Sequence, residues 1–119
     1  MKRFIYLLTF SVLFLNSTAA EYYWVGGTGN WSDYINHWAT TSGGSVFHVQ
    51  IPSPIDNVHF DSNSFITAAD TVFLDSTLVN CKNMDWTGAT GFPMLAGISN
   101  SAIGIYGSLT LSSNMKCLL

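Results

Sequence analysis

Positive charge is the scarcest property of this sequence. After the opening Lys2 and Arg3, only Lys82 and Lys116 are basic, and arginine does not recur. Seven acidic residues (Glu21, Asp33, Asp56, Asp61, Asp70, Asp75 and Asp85) leave the chain net negative. With no basic stripe to neutralise phosphates, nucleic acid is excluded as a partner. With no cationic amphipathic helix to lie on anionic lipid, no membrane insertion is expected once the N-terminal leader has gone. Strong helix formers are nearly missing too: Glu21 and Gln50 are the only Glu and Gln. No stretch after Leu15 carries an apolar i, i+3, i+4, i+7 stripe, which excludes a helical body. Cysteine is limited to Cys81 and Cys117. Export to an oxidising space permits one bridge between them, but Cys117 lies in the terminal segment, and two separate thiols are the favoured state.

Catalytic signatures are equally thin. Gly-x-Ser-x-Gly is absent, and no serine has an evident histidine and acid arrangement. Gly26-Gly27-Thr28-Gly29 lacks the Gly-Lys-Ser/Thr ending and the following helix of a phosphate loop. The aspartates have no Arg or Lys beside them to hold an anionic sugar, as a polysaccharide lyase would need, and no paired acid and base is evident. The expectation is a chain that is not an enzyme.

What the sequence does contain begins with an address. Met1-Lys2-Arg3 is a short positive start, Phe4–Leu15 an apolar run broken only by Thr9 and Ser11, and Asn16–Ala20 a small-residue end. The twelve residues of that run fall short of the roughly 20 that cross a bilayer. The pattern is that of a cleavable secretory signal peptide, with Thr18 and Ala20 suited to the −3 and −1 positions before Glu21. The chain from Glu21 onward suffices for one domain. Its short β-branched and aromatic runs alternate with Gly, Asn, Ser and Asp clusters, so it should be nearly all β. Strands are expected at Val46–Ile51, Val58–Asp61, Thr71–Asp75, Asn83–Trp86, Ile103–Tyr106 and Ser108–Leu111. Ile103, Ile105, Leu109 and Leu111 should face inward. Val58 and Val72 lie fourteen residues apart, as do Asp61 and Asp75, a hint of a repeat. Two architectures accommodate these strands: the first coils of a parallel β-helix solenoid, or a compact antiparallel β-sandwich.

Three of the four tryptophans, Trp24, Trp31 and Trp38, fall within one glycine-punctuated stretch. Glycine reaches positive φ without a Cβ penalty, so Gly26, Gly27 and Gly29 can turn the chain and fold Trp24 back onto Trp31 and Trp38. A solenoid buries its core by stacking and needs a lid over its first coil. These six residues are the expected structural cap. The chain then divides into a signal peptide (1–20), an aromatic and Gly-rich cap (21–51) and β-rich coils (52–119).

The Trp-x-Gly-Gly-x-Gly-Asn-Trp-Ser-Asp-x-x-Asn-x-Trp pattern of Trp24 to Trp38 resembles the opening of large secreted surface proteins of Gram-negative bacteria. These include type IX secretion cargo and adhesin-like proteins with repetitive β-rich stalks. The likeness continues through Pro52–Asp61, Asn83–Gly88 and Ile105–Leu111. It implies a right-handed parallel β-helix, a place outside the cell or on its outer surface, and adhesin-like, non-catalytic work. It also implies partners in downstream coils of a longer chain, surface glycans, or host or neighbouring-cell surfaces. Such cargo carries a C-terminal sorting domain, which is not in this sequence. Asn114–Leu119 moreover offers no capping element, so the expectation is a fragment truncated at its C-terminus.

Three further constellations bear on binding. Trp24, Trp31, Trp38 and Trp86 could stack on sugar rings if exposed, making a carbohydrate-binding module the alternative to a cap. Asp61, Asn63 and Asp75 could supply oxygens to Ca2+ if stacked turns aligned them, although Asx-turns at strand ends are the favoured reading. His37, His48 and His59, spaced eleven apart, are expected to be ordinary surface or turn histidines and not a zinc set, so no metal site is assigned.

Overall fold

The computed structural model describes residues 18–119. Met1–Ser17, and with them most of the expected signal peptide, lie outside the described residues. The rest is all-β apart from one short helix. Eleven strands form: β1 (Glu21–Trp24), β2 (Gly29–Asn30), β3 (Trp38–Ala39), β4 (Asn57–His59), β5 (Thr71–Leu74), β6 (Leu78–Cys81), β7 (Met84–Asp85), β8 (Met94–Gly97), β9 (Ala102–Ile105), β10 (Leu109–Thr110) and β11 (Lys116–Leu118). The helix, α1, is the single turn Tyr34–His37.

These strands build a five-stranded sheet ordered β10-β7-β4-β1-β3, a four-stranded sheet ordered β11-β8-β5-β2, and the pair β6-β9. From β4 onward the chain visits the three sheets in strict rotation, so each strand lies beside the one three strands later. Seven of the eight pairings are parallel, and only β1 with β3 is antiparallel. Val58 pairs with Met84 and Met84 with Leu109, while Thr71 pairs with Met94 and Met94 with Lys116. The fourteen-residue spacing is therefore not the stacking repeat. It separates two strands of different sheets, and the paired strands are more than twenty residues apart.

Alternation along each strand explains why these segments pair as they do. In β6, Val79 and Cys81 point inward and are buried, while Leu78 and Asn80 point outward. In β5, Val72 and Leu74 enter the core and Phe73 faces out. Period-two alternation with one buried face fixes the register, because a slip of one residue would expose every core side chain. A polar ladder reinforces it at the start of the five-stranded sheet. Asn57 Nδ2 donates to Glu21 Oε2 at 2.7 Å, Asn83 Nδ2 to Asn57 Oδ1 at 2.8 Å, and the Ser108 amide to Asn83 Oδ1 at 2.8 Å. Each rung joins successive strands at the same register position.

The structure departs from the sequence-based strands at several places. Val46–Ile51 forms no strand, only a bridge between Ala39 and Phe47. Val46 and Val49 are exposed, so this β-branched run has no buried face to hold it in a sheet. β1, β2 and β3 in the aromatic segment, and β6, β8 and β11 after it, are additional to the strands expected. The last of them gives the terminal segment, expected to offer no capping element, a parallel partner in β8. The expected cap and coil segments also share sheets, since β1 and β2 pair with β4 and β5.

Candidate functional site

The Gly-rich stretch folds as a knot of rings. Gly26 and Gly27 adopt φ of +87° and +75°, a left-handed turn that side chains resist. The turn returns the backbone over β1, where Trp24 Nε1 donates to the Gly27 carbonyl at 2.7 Å. α1 then brings His37 into the same space. Its ring stacks on Trp24 with centroids 4.6 Å apart, and Nδ1 lies 2.6 Å from the Val25 carbonyl. Trp38, the next residue, meets Trp24 edge-on at 5.0 Å and Trp31 at 4.9 Å, and its Nε1 donates to the Trp31 carbonyl at 2.9 Å. The expected folding of Trp24 onto its neighbours is what the turn achieves.

The rings continue into the body. Trp24 ends β1, Phe60 and Trp86 follow β4 and β7 at the equivalent places in their sheet, and Phe60 stacks on Trp86 at 3.8 Å. Phe60 also meets Trp38 edge-on at 5.7 Å, joining the cap cluster to the next layers. All four tryptophans have 0% exposure. The glycan-stacking alternative for Trp24, Trp31, Trp38 and Trp86 is corrected on this ground: no indole face is open to a sugar. Such dense apolar area is buried because exposing it would forfeit the largest hydrophobic contribution in the chain.

Hydrogen bonds fasten this aromatic segment to the sheets behind it. Asp75, after β5, accepts from the Ser32 amide at 3.1 Å and from the Ser32 hydroxyl. Asp70 accepts from Thr28 Oγ1, from Thr67 Oγ1, and from the Ile66 and Thr67 amides. Burial pushes the Asp70 carboxyl upward, yet these donors outweigh it and hold the group below the usual carboxylate value. Asp61 makes the expected Asx-turn, accepting from the Asn63 amide at 2.9 Å, and also takes the Ser42 hydroxyl at 2.7 Å. Of the calcium candidates Asp61, Asn63 and Asp75, that turn brings Asp61 and Asn63 together. Asp61 follows the five-stranded sheet and Asp75 the four-stranded one, and each already serves donors of this chain. Among the described residues no three His, Cys, Asp or Glu side chains gather as a metal set.

The histidines are less ordinary than their spacing suggests. His37 is buried beneath the glycine turn. His48 stacks on Tyr22 at 3.6 Å, and His59 stacks on Tyr23 at 4.6 Å with Nε2 2.7 Å from Glu21 Oε1. The His59 hydrogen bond is the main reason the Glu21 carboxyl sits below its usual value. The signal in the sequence is the adjacent Tyr22-Tyr23 pair at the start of an alternating strand, which sends one ring inward and one outward.

At the opposite end the core opens. A cavity of about 190 Å³ is lined by Met84, Leu109 and Leu111 from the five-stranded sheet, by Leu95, Cys117 and Leu119 from the four-stranded sheet, and by Ile103 and Ile105 from β9. Ile103, Ile105, Leu109 and Leu111 do converge, as alternation implied, but Leu109 and Leu111 remain exposed. Cys81 and Cys117 are free thiols, the first buried and the second exposed. Burial pushes the Cys81 thiol up to about 11.

No helix among the described residues is long and apolar enough to cross a membrane. Compared with protein-family models, curated proteins and solved structures, the chain matches none.

Proposed function

We propose that this chain is a non-catalytic structural segment: the aromatic N-terminal cap and first coils of a right-handed parallel β-helix in a secreted, adhesin-like surface protein. The observation that carries the reading is the rotation of strands through three sheets with parallel, in-register partners three strands on. A chain winding through successive coils produces that order, whereas antiparallel sandwiches pair hairpin neighbours. Two asymmetric ends support it. At one end β3 runs antiparallel along β1 and the indole cluster fills the interior. At the other, β9, β10 and β11 keep an unpaired edge and inward apolar residues surround an open mouth. Unpaired edges with an exposed apolar interior suit continuation by further coils of the same kind. The leader-like residues 1–20 support a location outside the inner membrane.

The test combines export with indole accessibility. The 119-residue chain, expressed in a Gram-negative host, should be recovered outside the cytoplasm. Its tryptophan emission should resist a soluble quencher and stay unchanged on titration with surface glycans. Cytoplasmic retention, free quenching, or a glycan-dependent shift of emission would overturn the reading.

A further inference from the structure

The small-residue end of the leader offers two cleavage points, and only one suits the folded protein. Cleavage after Ala20 uses Thr18 and Ala20 at −3 and −1, whereas cleavage after Ala19 uses Ser17 and Ala19, equally small. The fold treats Ala20 as part of itself. Its carbonyl accepts from the Asn57 amide at 2.9 Å, extending the β1–β4 ladder by one residue, and its side chain packs against the core. Its amide nitrogen donates to Asp56 Oδ1 at 2.9 Å. Asp56 is itself only 4% exposed, and its other oxygen takes the Ser53 amide at 2.8 Å and the Ser53 hydroxyl at 2.7 Å. No cationic side chain pairs with this carboxylate among the described residues, where the only ion pairs are His37 with Asp33 and His59 with Glu21. A buried carboxylate without a counter-charge is costly.

The geometry points to the Ala19–Ala20 bond as the processing site, with the new α-ammonium of Ala20 as the counter-ion of Asp56. The inference deepens the export reading and rests on it. The reaction is the hydrolysis performed by a membrane-bound signal peptidase: water adds across the Ala19–Ala20 amide and the C–N bond breaks. Ala19 leaves as a carboxylate holding the water oxygen, and the Ala20 nitrogen keeps its own hydrogen and takes both protons of the water to become an ammonium. The nitrogen that already donates to Asp56 then carries full charge at the same place, and charge-assisted hydrogen bonds are roughly twice as strong as neutral ones. Cleavage one residue later would remove the Ala20 nitrogen from Asp56 and the Ala20 carbonyl from Asn57 together. The neighbouring titratable groups are Glu21, occupied by His59 and Asn57; Tyr22; His48, whose Nε2 lies 2.9 Å from the Glu21 carbonyl; and Lys82, whose amide donates to the Asp56 carbonyl at 2.6 Å but whose ammonium makes no ion pair among the described residues.

N-terminal sequencing and intact mass of the exported chain decide the matter. The expected product begins Ala20-Glu21-Tyr22. A product beginning at Glu21 overturns this inference and leaves the export reading standing, whereas a chain still beginning at Met1 overturns both. A second measurement reads the pair itself. A carboxylate raises the pKa of a neighbouring amine above its ordinary value near 8, so the pair stabilises the fold below that pH and is lost as pH rises through the raised value. An amine pKa raised from about 8 to about 9 corresponds to a loss of about tenfold in the folding equilibrium constant across that alkaline range. Asp56→Asn should flatten that loss, and an alkaline limb identical in the two proteins would count against the ion pair.

Discussion

Removing one indole N–H at a time separates what each tryptophan does in the core. Trp38 and Trp86 both flank Phe60 and are equally buried, but only Trp38 has a partner for its N–H, the Trp31 carbonyl at 2.9 Å. The indole nitrogens of Trp86 and Trp31 are buried with no partner. Replacement by Phe shrinks either site by a similar volume, a shared cost of about 1–3 kcal/mol for incomplete collapse. At Trp38 the change also strands a buried carbonyl, adding about 1–2 kcal/mol. At Trp86 it deletes an unsatisfied donor, returning about 1 kcal/mol. Trp38→Phe should therefore be less stable than Trp86→Phe by about 2–3 kcal/mol, a gap of about 2–3 M in urea midpoint for a slope near 1 kcal/mol/M. Urea titration followed by far-UV circular dichroism reads this directly. Trp31→Phe should group with Trp86→Phe. Equal midpoints for the Trp38 and Trp86 variants, or a lower one for Trp86→Phe, would refute the hydrogen-bond reasoning.

Glycine substitutions should divide sharply. A Cβ on Gly29 would lie 2.0 Å from His37 Nε2, so Gly29→Ala should displace His37 and lower the thermal midpoint by many degrees. Gly88→Ala meets nothing within 4 Å and should cost only the strain of its positive φ, about 1 kcal/mol. Asp70, held below its usual value, contributes stability that is full above the ordinary carboxylate range and is lost as pH falls through the lowered value. Asp70→Asn should lower stability at neutral pH by about 1–3 kcal/mol and flatten the acid limb of a pH–stability profile. A thiol reagent at neutral pH should modify Cys117 quickly and Cys81 only after denaturation, because Cys81 is buried and its thiol is pushed up to about 11. Rapid labelling of two thiols in the native protein would contradict that packing.

The all-β class, the inward convergence of Ile103 to Leu111 and the collapse of Trp24 onto Trp38 are legible in the sequence, because alternation and a glycine turn are local signals. Which strands stack is not. Val58 and Val72 look like copies, yet their partners are Met84 and Leu95, since pairing depends on where the chain returns to each sheet and not on likeness between strands. β8 escapes a sequence reading because Met94-Leu95-Ala96-Gly97 has little β-branched character, and its place comes from pairing with Thr71–Leu74. Val46–Ile51 has ample β propensity but no buried face, and tertiary context overrides it. His37 reads as a surface residue because nothing in its neighbours announces that Gly26 and Gly29 leave room for its ring.

Whether the strands stack in parallel coils can be read by cross-linking outward positions of β6 and β9 in a Cys117→Ser background, where Cys81 is buried. Parallel register places Leu78 beside Ala102 and Asn80 beside Gly104. Strands about 4.8 Å apart are within disulfide reach. Mild oxidation should close the Leu78→Cys/Ala102→Cys pair and the Asn80→Cys/Gly104→Cys pair, and leave Leu78→Cys/Gly104→Cys open. Closure of that last pair, with the first two open, would mean antiparallel strands and would contradict a stacked-coil architecture.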